Sequence, residues 1–225
     1  MSEPLRLYSY WRSSAAYRVR IGLALKELPY EIVPVHLLRD GGEQHATEFR
    51  ETTNPQELVP VLQHGARLYR QSMAILEYLD ETWPEPPLLP ALARDRARAR
   101  GLAQLVACDV HPLNNLRVLQ YFEHEWNVPQ AERDEWVRHW IVKGLDAMEA
   151  SLVDHPATGE FCEGDAPTLA DCCLVPQLYN ARRFGIDIGR WPTIARIEAA
   201  CLALPAFDVA RPENQPDCPE SQRAA

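Results

Sequence analysis

The segment YWRSSAAYRVRIGLALK, Tyr10 to Lys26, sets two adjacent hydroxyls, Ser13 and Ser14, where a strand gives way to a helix, with no cysteine beside them. A third hydroxyl, Ser72, follows Gln71 at the head of another helical stretch, YRQSMAILEYL. The first turn of a helix has unpaired N–H groups and the positive end of the dipole, so Gln71 and Ser72 stand where a carboxylate could bind. The plainer use of Ser72 is as an N-cap. In NPQELVPVL, Pro60 enters a strand. A cis bond there would turn the backbone and expose the amide and carbonyl of Val59, and a trans edge-strand proline is the alternative.

These residues need elements to hold them. Leu5 to Tyr10 alternates as a strand does, residues 14–28 have helical apolar spacing, and YEIVPVHL (30–37) is a β-branched second strand. RDGGEQ (39–44) is a glycine loop. A short helix follows, then a strand around Val61-Leu62, a turn at His64-Gly65 and a strand from Arg67 to Tyr69. Ser72 opens a helix ending near Trp83. The order is β-α-β-α-β-β-α. WPEPPLLP (83–90) cannot continue a helix and is a linker, so a domain at 1–83 precedes a linker at 84–90. Beyond it no strand pattern occurs. Helical stretches at 91–125, 130–153, 168–184 and 193–205 make an all-α domain over 91–212, and 213–225 is a polar, proline-rich tail expected to wrap or fray.

The bulk numbers exclude several classes. The chain has 225 residues, 46% apolar and 24% charged, which suits one large or two small folded domains. It has no apolar run long enough for a membrane span and no signal-like start, so a cytoplasmic location is expected. The six cysteines form no C-x-x-C pair and are expected to be reduced, buried and inert. The seven histidines are scattered, so no metal site is expected. A net charge of −9 without a basic patch argues against nucleic acid. The arginines of RDRARARG (94–101) are spread around a helix start and are expected to be solvated.

Six segments together, SSAAYRVRIGLALK, NPQELVPVL, QSMAILEYLDE, DVHPLNNLRVL, TLADCCLVPQLYNARRF and LPAF with ENQPD, resemble the zeta class of the glutathione S-transferase family, over residues 5 to about 218. Within the class the chain is most similar to the isomerases of maleyl dicarboxylates. The resemblance implies an α/β thioredoxin-like N-terminal domain with a mixed four-stranded sheet that binds glutathione. It also implies an all-α C-terminal domain completing the substrate pocket, and a homodimer. The implied reaction is glutathione-dependent cis–trans isomerisation of maleylacetoacetate or maleylpyruvate in aromatic catabolism. Conjugation or dehalogenation of small α-halo acids is the alternative on the same fold, and a non-catalytic transferase-like binding protein is a third reading.

By matching position, the resemblance implies that Ser13 and Ser14 face the glutathione sulfur, with Ser13 the nearer. Gln44 lies near the glycyl end. Val59, before Pro60, pairs with the cysteinyl part, and Gln71 and Ser72 take the γ-glutamyl carboxylate. Asn114 lines the site, and His111 contacts glutathione, moves a proton, or merely sits at a helix kink beside Pro112. Thr168 and Asp171 match a capping box. Where many zeta-class chains read Ser-Ser-Cys, this one has Ala15, so glutathione brings the thiol. The substrate would be a dicarboxylate, and guanidinium matches carboxylate bidentately, so Arg12, Arg117 and Arg183 are its expected anchors. Arg182, about 100° away on the helix, is expected to tolerate change.

Overall fold

In a computed structural model, which describes residues 3–223, the chain divides into two compact units, one formed by the described residues up to 88 with those from 203 onward and the other by Leu89–Leu202. Among the described residues of the first unit, β1 (Leu5–Ser9), β2 (Tyr30–Pro34), β3 (Val61–His64) and β4 (Arg67–Arg70) form one mixed sheet in the order β2-β1-β3-β4. β1 is parallel to β2 and antiparallel to β3, and β3 is antiparallel to β4. The side-chain alternation of β1 is literal: Leu5, Leu7 and Ser9 are buried, and Leu7 lies opposite both Ile32 and Leu62. This is a thioredoxin-like sheet.

Two helices cover it: α1 (Ser14–Leu25), shorter than the sequence pattern suggests, and α2 (Ser72–Thr82). Val19, Leu23, Ile75 and Leu79 join Leu5, Leu7 and Leu62 in one core cluster. The two helices touch at one-turn intervals. Arg18 meets Ser72, Gly22 faces Leu76, and Lys26 meets Asp80, the partner's number being 54 higher each time. A constant offset with both numbers rising means that the helices run parallel, so their N-termini lie side by side. Gly22 permits the approach, since a Cβ there would fall 2.3 Å from Leu76 Cδ2. The lowest rung is a buried ion pair, Lys26 Nζ to Asp80 Oδ1 at 2.7 Å, and the lysine also donates to the Trp83 carbonyl.

The stretch after α2 is no loose spacer. Asp80 also accepts the Leu88 N–H at 2.6 Å and Leu88 is buried, so the segment up to that residue is part of the first unit.

The second unit is helical: α3 (Ala93–Gln104), α4 (Leu116–His124), α5 (Gln130–Leu152), α6 (Leu169–Arg183) and α7 (Pro192–Leu202). The helix expected over 91–125 is broken, passing from α3 through a π-helical stretch, Leu105–Val110, and a 3-10 turn, His111–Asn114. Pro112 offers no N–H there. The capping box is present: Thr168 Oγ1 accepts from Ala170 N–H, and Asp171 accepts from Thr168 N–H at 2.8 Å and Cys162 N–H at 2.9 Å. The expectation of four solvated arginines fails at Arg98, whose guanidinium pairs with Glu163 and donates to Cys162 O, Ser151 O and Thr158 Oγ1. Cys108 is exposed, against expectation, whereas the other five cysteines are buried. Burial pushes the Cys162 and Cys201 thiols well up, which keeps them protonated.

The chain then returns to the first unit. α8 (Pro205–Val209) packs on α1, and the tail wraps rather than frays. Cys218 is buried with Tyr10 and Trp11, and Asp217 accepts the Trp11 N–H at 2.8 Å. No helix among the described residues is long and apolar enough to cross a membrane.

Candidate active site

In the first unit, the parallel pairing of α1 and α2 brings the serine pair and the Gln71-Ser72 pair to one end. Ser13 is the N-cap of α1: its Oγ accepts the Ala16 N–H at 3.2 Å. That use occupies an oxygen lone pair and leaves the hydroxyl proton to donate. Ser14 is the first helical residue and is nearly covered. Arg12 lies with its guanidinium 5.5 Å from the Trp11 ring centre.

The loop carrying these residues is fixed by Arg20, which is fully buried. Its guanidinium donates to Ala210 O at 3.0 Å, Ser9 Oγ at 3.2 Å and Trp11 O at 2.9 Å. It thus ties the end of β1 to the returning C-terminal segment.

Ser72 is not the cap of α2. Gln71 holds that place, at φ 70°, with no side-chain bond to the first-turn amides, and its Nε2 donates to Gln56 Oε1 at 2.8 Å. A left-handed backbone at a non-glycine residue costs energy and persists where the surroundings impose it, as they do at functional sites. Ser72 is buried in the first turn, and its Oγ accepts from Arg18 Nη1 at 3.2 Å. The amides of the first turn are therefore not consumed by a capping side chain, which is the arrangement that suits a carboxylate.

The Val59–Pro60 bond is cis, immediately before β3, and Val59 is buried. Gln44 is only 4% exposed. Its Nε2 is 2.9 Å from His45 Nε2, and His45 Nδ1 lies 2.5 Å from Glu57 Oε2. With Nδ1 donating to that carboxylate, His45 Nε2 is the acceptor and Gln44 the donor. Gln44 Oε1 is left buried with no partner. A buried acceptor in that condition costs about 1–3 kcal/mol, and a bound N–H would relieve it.

The second unit collects the remaining residues into two short chains of bonds. Asn114, buried, donates to Val110 O at 2.9 Å and accepts from Asn180 Nδ2 at 3.2 Å. Asn180 Oδ1 in turn accepts from Arg183 Nη1 at 3.1 Å. Asn115 caps α4 through the Arg117 N–H at 3.2 Å, and its Nδ2 lies 3.4 Å from His111 Nε2. The Arg117 side chain is exposed. Arg182 makes a two-pronged pair with the buried Glu198, both contacts at 2.5 Å, so it is a structural clamp rather than the tolerant neighbour expected of it.

Sequence reasoning missed Arg18, Arg20, Asn115 and Asn180. The signal for the first existed: Arg18, Gly22 and Lys26 form one helical stripe, and so do Ser72, Leu76 and Asp80.

A thioredoxin-like sheet whose helix N-termini converge, with an all-helical unit beyond it in the chain, defines a transferase-like architecture. A family profile for the N-terminal domain of glutathione S-transferase matches residues 7–87. The probable maleylacetoacetate isomerase of Vibrio cholerae is 54% identical over 95% of this chain and 98% of that protein. A bacterial maleylpyruvate isomerase solved in its holo form, a zeta-class glutathione S-transferase, superposes with a TM-score of 0.91 at 46% identity, over 95% of this chain and all of that one. The maleylacetoacetate isomerase of Methylobacterium extorquens, solved with malonate and glutathione bound, has a TM-score of 0.91 at 44% identity, over 95% of this chain and 99% of that one. The chain belongs to the zeta class of the glutathione S-transferase family.

Proposed function

We propose that the protein is a glutathione-dependent cis–trans isomerase of a maleyl dicarboxylate, maleylacetoacetate or maleylpyruvate, acting in aromatic catabolism. The observation that carries the reading is the parallel pairing of α1 and α2, which brings Ser13, a hydroxyl with a proton to give, and the uncapped helix start at Ser72 to the same end of the helix pair. It supports a site for a thiolate at one helix end and a carboxylate at the other, in a chain 54% identical to a probable isomerase of this kind.

Ser72, the first-turn amides of α2 and Gln71 take the γ-glutamyl carboxylate. The backbone of Val59, before Pro60, holds the cysteinyl part. Gln44, with its unpartnered Oε1, accepts an N–H near the glycyl end. When bound, glutathione supplies a thiolate that adds to the conjugated cis double bond and leaves once the resulting single bond has turned. Ser13 donates to the sulfur, and with the α1 dipole this lowers the thiol's pKa from about 8.5. Ser14 completes that wall. Ala15 contributes no competing thiol. Arg12, Arg117 and Arg183 hold the substrate's carboxylates in forked geometry. Asn114 orients Arg183 through Asn180, and His111 serves glutathione contact or proton movement. A cytoplasmic homodimer belongs to the same reading, and the free cysteines suit the reducing location.

The test is turnover of a maleyl substrate in thiol-free buffer. No reaction without glutathione, and many turnovers per glutathione added, are expected. Full activity without glutathione would refute the reading, and consumption of one glutathione per product would replace it with conjugation.

A further inference from the structure

We infer that Arg18 is a positioning residue: it points the Ser72 hydroxyl at the γ-glutamyl carboxylate and sets a fixed positive charge behind it. This rests on the proposed site at the start of α2.

Arg18 is 2% exposed and lies on the face of α1 that meets α2. Its Nη1 donates to Ser72 Oγ at 3.2 Å. A hydroxyl has one proton and two lone pairs. A guanidinium donor, which never loses its charge, permanently fills one lone pair and repels the hydroxyl proton to the opposite side. The Ser72 hydroxyl is thereby made a donor. Serine in a first helical turn otherwise turns to bond nearby backbone groups, and then presents no defined donor.

The ladder between the helices fixes the geometry. One turn below, Gly22 lies against Leu76, and one turn further Lys26 is held by Asp80 and the Trp83 carbonyl. Those two rungs set the register of the helices and so hold the guanidinium opposite Ser72 Oγ. Arg18 acts on the ligand through Ser72, which makes the ligand's α-carboxylate the group whose recognition depends on it. The chemical class selected is a γ-glutamyl thiol with a free α-carboxylate, rather than any small thiol.

The experiment measures calorimetric affinity for glutathione and for its analogue lacking that carboxylate, γ-aminobutyryl-cysteinylglycine. The proteins are the unaltered enzyme, Arg18→Met, Arg18→Lys, Ser72→Ala and the double variant Arg18→Met/Ser72→Ala, each with a thermal melt. Arg18→Met is expected to lose roughly 10- to 100-fold in glutathione affinity, the scale of one charge-assisted hydrogen bond, with little change for the analogue. The double variant should lose no more than the worse single one, since both act on one hydroxyl. Arg18→Lys keeps the charge and a donor for the single bond to Ser72, and should retain much of the preference for glutathione. Equal losses for both ligands, or losses that add in the double variant, would show a merely structural residue and overturn the inference. So would a folded lysine variant that loses affinity equally for both ligands, and this arm holds even if methionine prevents folding. If the unaltered enzyme itself fails to distinguish glutathione from the analogue, it is the assignment of the α2 start that fails.

Discussion

Ser13 is expected to do two jobs with one hydroxyl, and replacing it should separate them. Its oxygen caps α1 by accepting the Ala16 N–H at 3.2 Å, and on the proposed reading its proton is left to stabilise the sulfur anion. Ser13→Ala removes both functions. Loss of an N-cap costs about 1 kcal/mol, which in a chain of this size lowers Tm by about 2–4 °C. Loss of a donor to a charged group costs about 1.5–3 kcal/mol, or roughly 10- to 150-fold in rate. Ser13→Asp splits the two. Aspartate caps about as well as serine and suits the positive end of the helix. Its carboxylate, however, has no proton to give at neutral pH and stands where the thiolate must be. The two variants should therefore rank in opposite orders: aspartate the more stable, alanine the more active. Ser14, inside the first turn and nearly covered, should matter less. Calorimetric melts, together with ultraviolet titration of the bound thiolate, read the two quantities independently. An aspartate variant with unimpaired activity, or greater damage from Ser14→Ala, would refute the assignment of the donor.

The pair at the end of α6 should divide in the same manner. Arg182→Gln is expected to lower stability by about 2 kcal/mol, because it strands the buried Glu198, with KM for the dicarboxylate unmoved. Arg183→Lys should raise KM several-fold and leave the melt alone, and melts with steady-state kinetics would expose a reversed assignment. Burial pushes the Asp171 carboxyl above its usual 3.8 against the pull of its hydrogen bonds. Between the ordinary and the raised value the folded chain then holds more protons than the unfolded one, so stability falls as pH rises through that interval. Urea midpoints across the acid range should show the advantage of the natural residue over Asp171→Asn shrinking as pH rises, and a growing advantage would show that the fold prefers the carboxylate.

What was legible in the sequence was local. The alternation of Leu5, Leu7 and Ser9 is a property of five residues, and so is the sheet face they make. The capping box spans Thr168 to Asp171 and needs no other part of the chain. What was not legible depends on distant partners. Ser72 reads as a cap because serine usually is one, and only the left-handed backbone of Gln71 and the approach of Arg18 across 54 residues give it another use. Arg98 reads as a solvated charge because its acceptors, Cys162 O, Glu163 and Thr158, lie some 60 residues on. The tail, 213–225, reads by composition as wrapping or fraying, and what decides between them is the Trp11 N–H that Asp217 accepts from 206 residues away.

The same long-range packing resolves an apparent electrostatic conflict. A chain of net charge −9 should repel an anionic tripeptide and a dicarboxylate. At physiological salt the Debye length is about 8 Å, so charges spread over the rest of the surface are largely screened from a ligand already in place. On the proposed reading the ligand meets the local set at contact: two parallel helices with their positive ends together, and the buried guanidinium of Arg18 behind Ser72. Had the helices packed antiparallel, one positive end would sit beside one negative end and the two would largely cancel. Gly22 lets the two helices approach closely, since a Cβ there would fall 2.3 Å from Leu76 Cδ2 and that side chain would have to move. On the proposed reading, anion recognition depends on a glycine one turn below Arg18 and Ser72 as well as on the serines themselves.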